Sequence, residues 1–287
     1  MRKKFYLSAG KYSLELGPST KVMGIVNITP DSFSQDGLLR KGKKADALSY
    51  AKKLINDGAD MIDIGGESTR PGAQSISAQE EIKRVMPTLK ALAKQCRVPV
   101  SIDTYKPEVA QQALDGGAVI VNTIMGAHPP QELLRMVKNY DAAIVLMHMR
   151  GTPRTMQKSI RYKNLIGEII ASLRKSVEKC LEMGIKSDKI ILDPGIGFGK
   201  TLEHNLEIIN RLQTFTKLNK PLLIGTSRKS FIGKILNKDI PNRLMGTAAT
   251  VCASIMNGAH IVRVHDCKAM KEVAVMTDAI LNERAQL

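Results

Sequence analysis

The chain has no tryptophan, and aromatic residues make up only 4% of its 287 positions. Its core must therefore be aliphatic. The same shortage removes the rings on which single-stranded nucleic acids stack. That matters because a formal charge of +16 would otherwise suggest a polyanionic partner. The lysines are spread over amphipathic stretches, with dense basic groups only at 2–4 and 40–44. They read as a solvated surface around an anion-binding enzyme, with no nucleic acid as partner. Cysteine is scarce and scattered. Cys96, Cys180, Cys252 and Cys267 form no Cys-x-x-Cys pair, which argues against zinc and dithiol motifs and suits a reducing compartment. No apolar run approaches the roughly 18 residues of a membrane span, and the basic start lacks the apolar segment of a secretion signal. The expectation is a cytoplasmic protein with no membrane contact.

What the chain does have is one unit, repeated. A short apolar run ends in a polar residue, a loop with Gly or Pro follows, and then an amphipathic stretch. The runs lie at 22–26, 61–64, 98–102, 119–121, 142–147, 190–192, 222–224 and 261–264. They are nearly continuous, as parallel strands covered on both faces are. Ile82, Val85, Met86, Leu89 and Leu92 share one helical face. Leu165, Ile169, Leu173, Val177 and Cys180 share another, and Leu206, Ile209 and Leu212 a third. Pro87 is expected to kink or interrupt the first of these helices. Ser77 with Glu80 has capping-box spacing. Asp266 is the only capping candidate for the last helix. Eight such units predict a (β/α)8 TIM barrel, one domain over 1–287, with 1–20 as a short N-terminal hairpin extension turning at Ala9-Gly10. The alternative is an open doubly wound sheet. Its usual Gly-x-Gly-x-x-Gly does not follow the first strand, where Asn27-Ile28-Thr29-Pro30 stands instead.

In a TIM barrel the active site lies at the C-terminal ends of the strands. Those ends read Asn27, Asp63, Asp103, Asn122, His148, Asp193, Thr226 to Lys229, and Arg263 with His265. Asp103, Asn122 and Asp193 suit the hydrogen-bonding edge of a flat heterocycle, since a carboxylate accepts two N–H donors side by side. Met147 offers a soft apolar contact to a ring. Arg70, Lys229, Arg263 and His265, with the hydroxyls of Thr69 and Ser227, suit a phosphate or carboxylate. Arg263 alternates with Val262 and Val264 inside a strand, where a cation needs an anion. Residues 193–200 read as a flexible glycine loop from which Phe198 closes over a ring. His148 reads as a structural histidine. The most telling stretch is 60–72: a buried strand interrupted by Asp63, a turn at Gly65-Gly66, then Glu67, Ser68, Thr69, Arg70 and Pro71.

Together these motifs resemble the dihydropteroate synthase family. They are 23–34 (MGIVNITPDSFS), 63–72 (DIGGESTRPG), 101–104 (SIDT), 192–195 (LDPG), 225–231 (GTSRKSF) and 261–266 (IVRVHD), and they span nearly the whole chain. The resemblance implies condensation of 6-hydroxymethyl-7,8-dihydropterin diphosphate with 4-aminobenzoate, giving 7,8-dihydropteroate and pyrophosphate by a dissociative route. It implies Asp103, Asn122, Met147, Asp193 and Lys229 at the pterin, and Asn27, Thr69, Arg70, Arg263 and His265 at the diphosphate. It places Phe33, Thr69, Pro71, Phe198 and Ser227 at the aminobenzoate. The catalytic group it implies is Asp103, Asp193, Lys229, Arg263 and His265. One Mg²⁺ on the diphosphate is implied, with Asn27 as its protein ligand, and a homodimer formed through late helices. Two positions depart from the family pattern. Gln35-Asp36 shifts the acidic residue of the first loop by one, and Thr123 stands where Asp usually follows the fourth-strand Asn. A pterin-dependent methyltransferase of the same superfamily, or a catalytically degenerate paralogue, are the alternatives.

Overall fold

The computed structural model describes residues 2–29, 47–68, 73–126, 128–158 and 160–284. Strands β1 (Phe5–Ala9) and β2 (Tyr12–Leu16) form an antiparallel hairpin. Eight parallel strands then follow the apolar runs: β3 (Lys21–Asn27), β4 (Met61–Gly65), β5 (Val100–Asp103), β6 (Ile120–Thr123), β7 (Ala143–Met147), β8 (Ile190–Asp193), β9 (Leu223–Ile224) and β10 (Ile261–Val264). Around them stand α1 (Ala47–Asn56), α2 (Ala78–Gln95), α3 (Pro107–Asp115), α4 (Gln131–Asn139), α5 (Leu165–Glu182), α6 (Leu202–Asn210), α7 (Ser230–Leu236), α8 (Leu244–Met256) and α9 (Cys267–Asn282). The sheet runs β8-β7-β6-β5-β4-β3-β10-β9, and a parallel bridge from Leu192 to Leu222 closes it into the expected barrel.

That closing seam is thin for a local reason. Pro221 has no N–H to donate. The N–H of Leu222 goes instead to Nδ1 of His260 at 3.2 Å. Across the seam, Leu192 N donates to Pro221 O at 3.0 Å.

Alternation along each strand explains where the site forms. Outward residues such as Val22, Val26, Ile62, Ile64, Val100 and Ile102 join the core beneath the helices. Inward residues near the strand starts, including Met23, Met61, Ile120, Val145, Ile191 and Ile261, fill the lower barrel together with Leu7, Ala9 and Leu16 of the hairpin. Two residues further on, the same inward row turns polar: Met61 gives way to Asp63, Ile120 to Asn122, Ile191 to Asp193 and Ile261 to Arg263. The apolar plug below and the polar mouth above are successive inward positions of the same strands.

Three local expectations change. α2 runs 18 residues without a break at Pro87, which is exposed, so water reaches the carbonyl that the missing N–H would have engaged. Ser77 does cap this helix, accepting from Glu80 N at 3.2 Å, but the Glu80 carboxylate turns to Arg84. On α6, Leu206 is exposed while Asn205, Ile208 and Ile209 are buried. Asn205 is drawn inside because its Oδ1 accepts from Gly197 N at 2.7 Å and its Nδ2 donates to Thr201 O at 2.7 Å.

Candidate active site

Arg263 enters the barrel from β10. Its Nε donates to Oδ2 of Asp63 at 2.6 Å, and its Nη2 to Oδ2 of Asp103 at 2.8 Å. The anion it needs is thus supplied first by the protein. Asp63 Oδ2 also accepts from Nδ2 of Asn122 at 2.9 Å. Support for Asn122 therefore comes across the barrel from β4. Thr123 next to it serves a turn instead, accepting from Met125 N at 3.2 Å. Burial alone would lower the Arg263 guanidinium, but Asp63 and Asp103 outweigh it and the net shift is upward.

The loop after β9 is set by one unusual residue. Arg228 has φ of 57°, a left-handed conformation that costs a non-glycine residue roughly 1 kcal/mol or more. It is held there on three sides. Its N–H donates to Thr247 Oγ1 at 3.1 Å, and its carbonyl accepts from Nη1 of Arg243 at 3.0 Å. Its guanidinium binds both oxygens of Asp266, at 2.7 and 3.1 Å. Asp266 starts α9 without a side-chain cap bond, because its carboxylate is taken by Arg228. This anchoring leaves Ser227 and Lys229, the residues on either side, lining the cavity. Ser227 Oγ accepts from His265 N at 3.2 Å and lies 3.0 Å from His265 Nδ1.

The segment after β8 is a bonded turn rather than an open loop. Gly195 N donates to Asp193 Oδ1 at 2.7 Å, and Phe198 N to Gly195 O at 3.2 Å. Lys229 Nζ stands 4.2 Å from the centre of the Phe198 ring. After β4, Glu67 is nearly buried. It accepts from Tyr105 OH at 2.9 Å, Lys106 Nζ at 2.6 Å and Ile76 N at 3.0 Å. That carboxylate ties the start of its loop to residue 76 and to the turn that follows Asp103.

These groups surround a cavity of about 310 Å³, within the range of small-molecule sites. Burial pushes the Asp103 carboxyl upward, against the pull of Arg263. It pushes the Asp193 carboxyl up to about 6, against the Gly195 N–H and Lys229. It pulls the Lys229 ammonium down to about 8, with Arg263 acting in the same direction.

A family model described as pterin binding enzyme matches residues 23–265. The dihydropteroate synthase of Synechocystis sp. is 46% identical over 275 residues, covering 96% of this chain and 94% of that relative. Among solved structures, the Yersinia pestis dihydropteroate synthase with a sulfonamide drug has a TM-score of 0.90 at 39% identity, over 97% of this chain and 100% of that one. The Xanthomonas albilineans dihydropteroate synthase with 4-aminobenzoic acid has a TM-score of 0.88 at 34% identity, over 97% and 99%.

The chain belongs to the dihydropteroate synthase family. It is a transferase, and the methyltransferase and degenerate-paralogue alternatives give way to that reading. Of the residues singled out in the sequence, Asn27, Asp103, Asn122, Met147, Asp193, Phe198, Ser227, Lys229, Arg263 and His265 all line this synthase's cavity. Phe33, Thr69, Arg70 and Pro71 lie outside the described residues, as do Gln35 and Asp36. Sequence reasoning missed Glu67 and Ser230 as cavity residues. Ser230 was detectable as the first residue of a helix directly after Lys229. Glu67 was detectable as the one carboxylate between the Gly65-Gly66 turn and Gly72. His148 is buried and does not line the cavity. No helix among the described residues is long and apolar enough to cross a membrane.

Proposed function

We propose that the enzyme condenses 6-hydroxymethyl-7,8-dihydropterin diphosphate with 4-aminobenzoate to form 7,8-dihydropteroate and pyrophosphate. The observation that carries this reading is the sorting of charge around one cavity. Asp103, Asn122 and Asp193 offer acceptors and an amide to a flat heterocycle, while Lys229, Arg263 and His265 stand among them with positive or donor groups. The pterin edge would lie on Asp103, Asn122 and Asp193, with Met147 against the ring. The diphosphate would meet Asn27, Arg263 and His265, together with Thr69 and Arg70. Two nitrogens of Arg263 are committed to Asp63 and Asp103, so the diphosphate would be met by Nη1. Aminobenzoate would sit by Phe198, Ser227 and Ser230, with Phe33, Thr69 and Pro71 completing its pocket.

In the proposed step the bond from the pterin methylene to the diphosphate oxygen breaks, and its electron pair leaves with pyrophosphate. The methylene cation is delocalised into the ring. Ionised Asp103 and Asp193 stabilise that cation, while Lys229, Arg263 and His265 stabilise the departing charge. The amine of 4-aminobenzoate then bonds to the methylene carbon and loses a proton to water. Its nitrogen is neutral at pH 7 and needs no strong base, so positioning and electrostatics carry the rate. Release of pyrophosphate that 4-aminobenzoate accelerates, matched by formation of 7,8-dihydropteroate, tests the proposal. No release, or release that 4-aminobenzoate neither accelerates nor couples to formation of 7,8-dihydropteroate, rejects it.

Asn27 would hold the implied Mg²⁺. Gly65 beside it is bare, and a Cβ there would come 3.6 Å from Asn27 Oδ1, so the space at that oxygen stays open. Among the described residues no cluster of three or more acidic, His or Cys groups could hold a metal. One amide oxygen nevertheless fits a cation that keeps its waters and leans on substrate phosphates. When bound, the ion would neutralise charge on the leaving diphosphate.

The same reading extends to assembly and location. Met245, Met256, Met276 and Ile280, on α8 and α9, are 73%, 55%, 62% and 56% exposed. A homodimer through these helices would cover them. The four cysteines are free, which supports a cytoplasmic enzyme.

A further inference from the structure

We infer that Lys200 is a positioning residue for the reaction, its buried ammonium clamping the Phe198 turn to the His148 segment on the two sides of Asp193. The inference rests on the proposed roles of Asp193 and Phe198. Lys200 is 3% exposed, and its Nζ has three neutral acceptors: Phe198 O at 2.9 Å, His148 Nδ1 at 3.1 Å and His148 O at 3.3 Å. A buried ammonium with no bonded carboxylate is costly: burial pulls Lys200 down to about 7, so its charge is held through the acid range in which Asp193 titrates, and an apolar side chain would serve stability alone at least as well.

What the cation gains is position. The three acceptors belong to the two segments that frame Asp193. His148 follows β7 and donates its own N–H to Asp193 O at 2.8 Å. Phe198 belongs to the turn that follows Asp193, and its ring faces Lys229. One ammonium therefore clamps the Phe198 carbonyl to the His148 backbone. His148 stays an acceptor because burial and Lys200 hold it neutral, down to about 3.

Charge adds a second effect. Asp193 is faced by Lys229 from the β9 loop, Arg263 from β10 and Lys200 from its own turn, and each favours the carboxylate. Asp103 lies across the same cavity. The neutral His148 and, beyond it, Arg150 complete the surroundings. Lys200 is the cation of this set that does not line the cavity, so removing it alters the field without deleting a substrate contact.

The test compares wild type, K200M and K200R in two ways: turnover, and binding of 6-hydroxymethylpterin followed by its fluorescence from about pH 5 to 8. In K200M the acid limb of both should move to higher pH by roughly one unit, and the aminobenzoate KM should rise about fivefold or more. K200R keeps the charge and should keep the wild-type limb. An unshifted limb in K200M overturns the inference, as does an equal shift in K200R. So does a uniform fall in kcat, substrate affinity and Tm with the limb in place. K200Q gives the same reading if K200M does not fold. A wild-type enzyme that releases no pyrophosphate rejects the proposed chemistry, while the limb for pterin binding still decides the role of Lys200.

Discussion

Arg263 Nε lies 2.6 Å from Asp63 Oδ2, a bond between residues 200 positions apart that the closed barrel brings face to face. Asp63 is fully buried and does not line the cavity, yet its one oxygen fixes Arg263 from β10 and Asn122 from β6. A buried pair of this kind is weak support for stability as a whole, but losing one partner strands the other.

Asp63→Asn should therefore destabilise the fold by about 3 kcal/mol and lower kcat/KM without touching substrate. Denaturant unfolding and steady-state kinetics check it. Wild-type values in both would show that Arg263 and Asn122 are held by something else.

Asp193→Asn keeps the shape and removes the charge. The expected loss in kcat is on the order of 10²–10³, with Tm close to wild type. Near-normal turnover would remove Asp193 from the proposed mechanism.

The pH profile follows from the same groups. Asp193 and Asp103 must both be ionised, and burial has raised them, Asp193 to about 6 and Asp103 to about 7, so activity should fall as pH drops through that range. Lys229 must be protonated, and burial has lowered it to about 8, so activity should fall again as pH rises through that value. A bell between these limbs is expected for kcat/KM of the dihydropterin diphosphate. A profile flat across the acid side would contradict the assignment.

Gly195 and Gly184 separate a backbone cost from a clash. Both have positive φ, 74° and 83°. A Cβ at Gly195 would lie 1.9 Å from His148 O, whereas at Gly184 it meets only the flexible Lys138 side chain, at 3.3 Å or more. Gly184→Ala should cost about 1 kcal/mol, while Gly195→Ala should cost about 3 kcal/mol and abolish turnover. Thermal unfolding of the two variants decides it, and equal costs would refute the clash.

Met276→Asp should dissociate the proposed dimer and leave the cavity intact. Sedimentation analysis should show a Kd raised by tenfold or more. An unchanged mass at micromolar concentration would place the interface elsewhere.

The barrel was legible because its strands are short apolar runs, each ending where an inward side chain turns polar. Asp103, Asn122, Asp193, Lys229, Arg263 and His265 could be read as one site for the same reason. What stayed hidden were partners set by closure. The anion for Arg263 lies on strands far away in the chain, so spacing suggested an external ligand where Asp63 and Asp103 stand. The Phe198 turn read as a flexible glycine loop because its restraints, Asn205 and Lys200, are side chains whose inward aim depends on tertiary contacts. The α6 stripe shifted from Leu206 to Asn205 on the same account.

Arg2 binds Asp278 and the carbonyl of Ala259, and Lys3 O accepts from Nε2 of His260. Two stretches 257 positions apart in the chain are thus secured to one another. While the ribosome still holds residues 259–278, the hairpin and β3 lack partners that only β10 and α9 supply. Closure of this barrel therefore waits until residues 259–278 are free of the ribosome, and until then the edge of β3 that β10 covers stays unpaired.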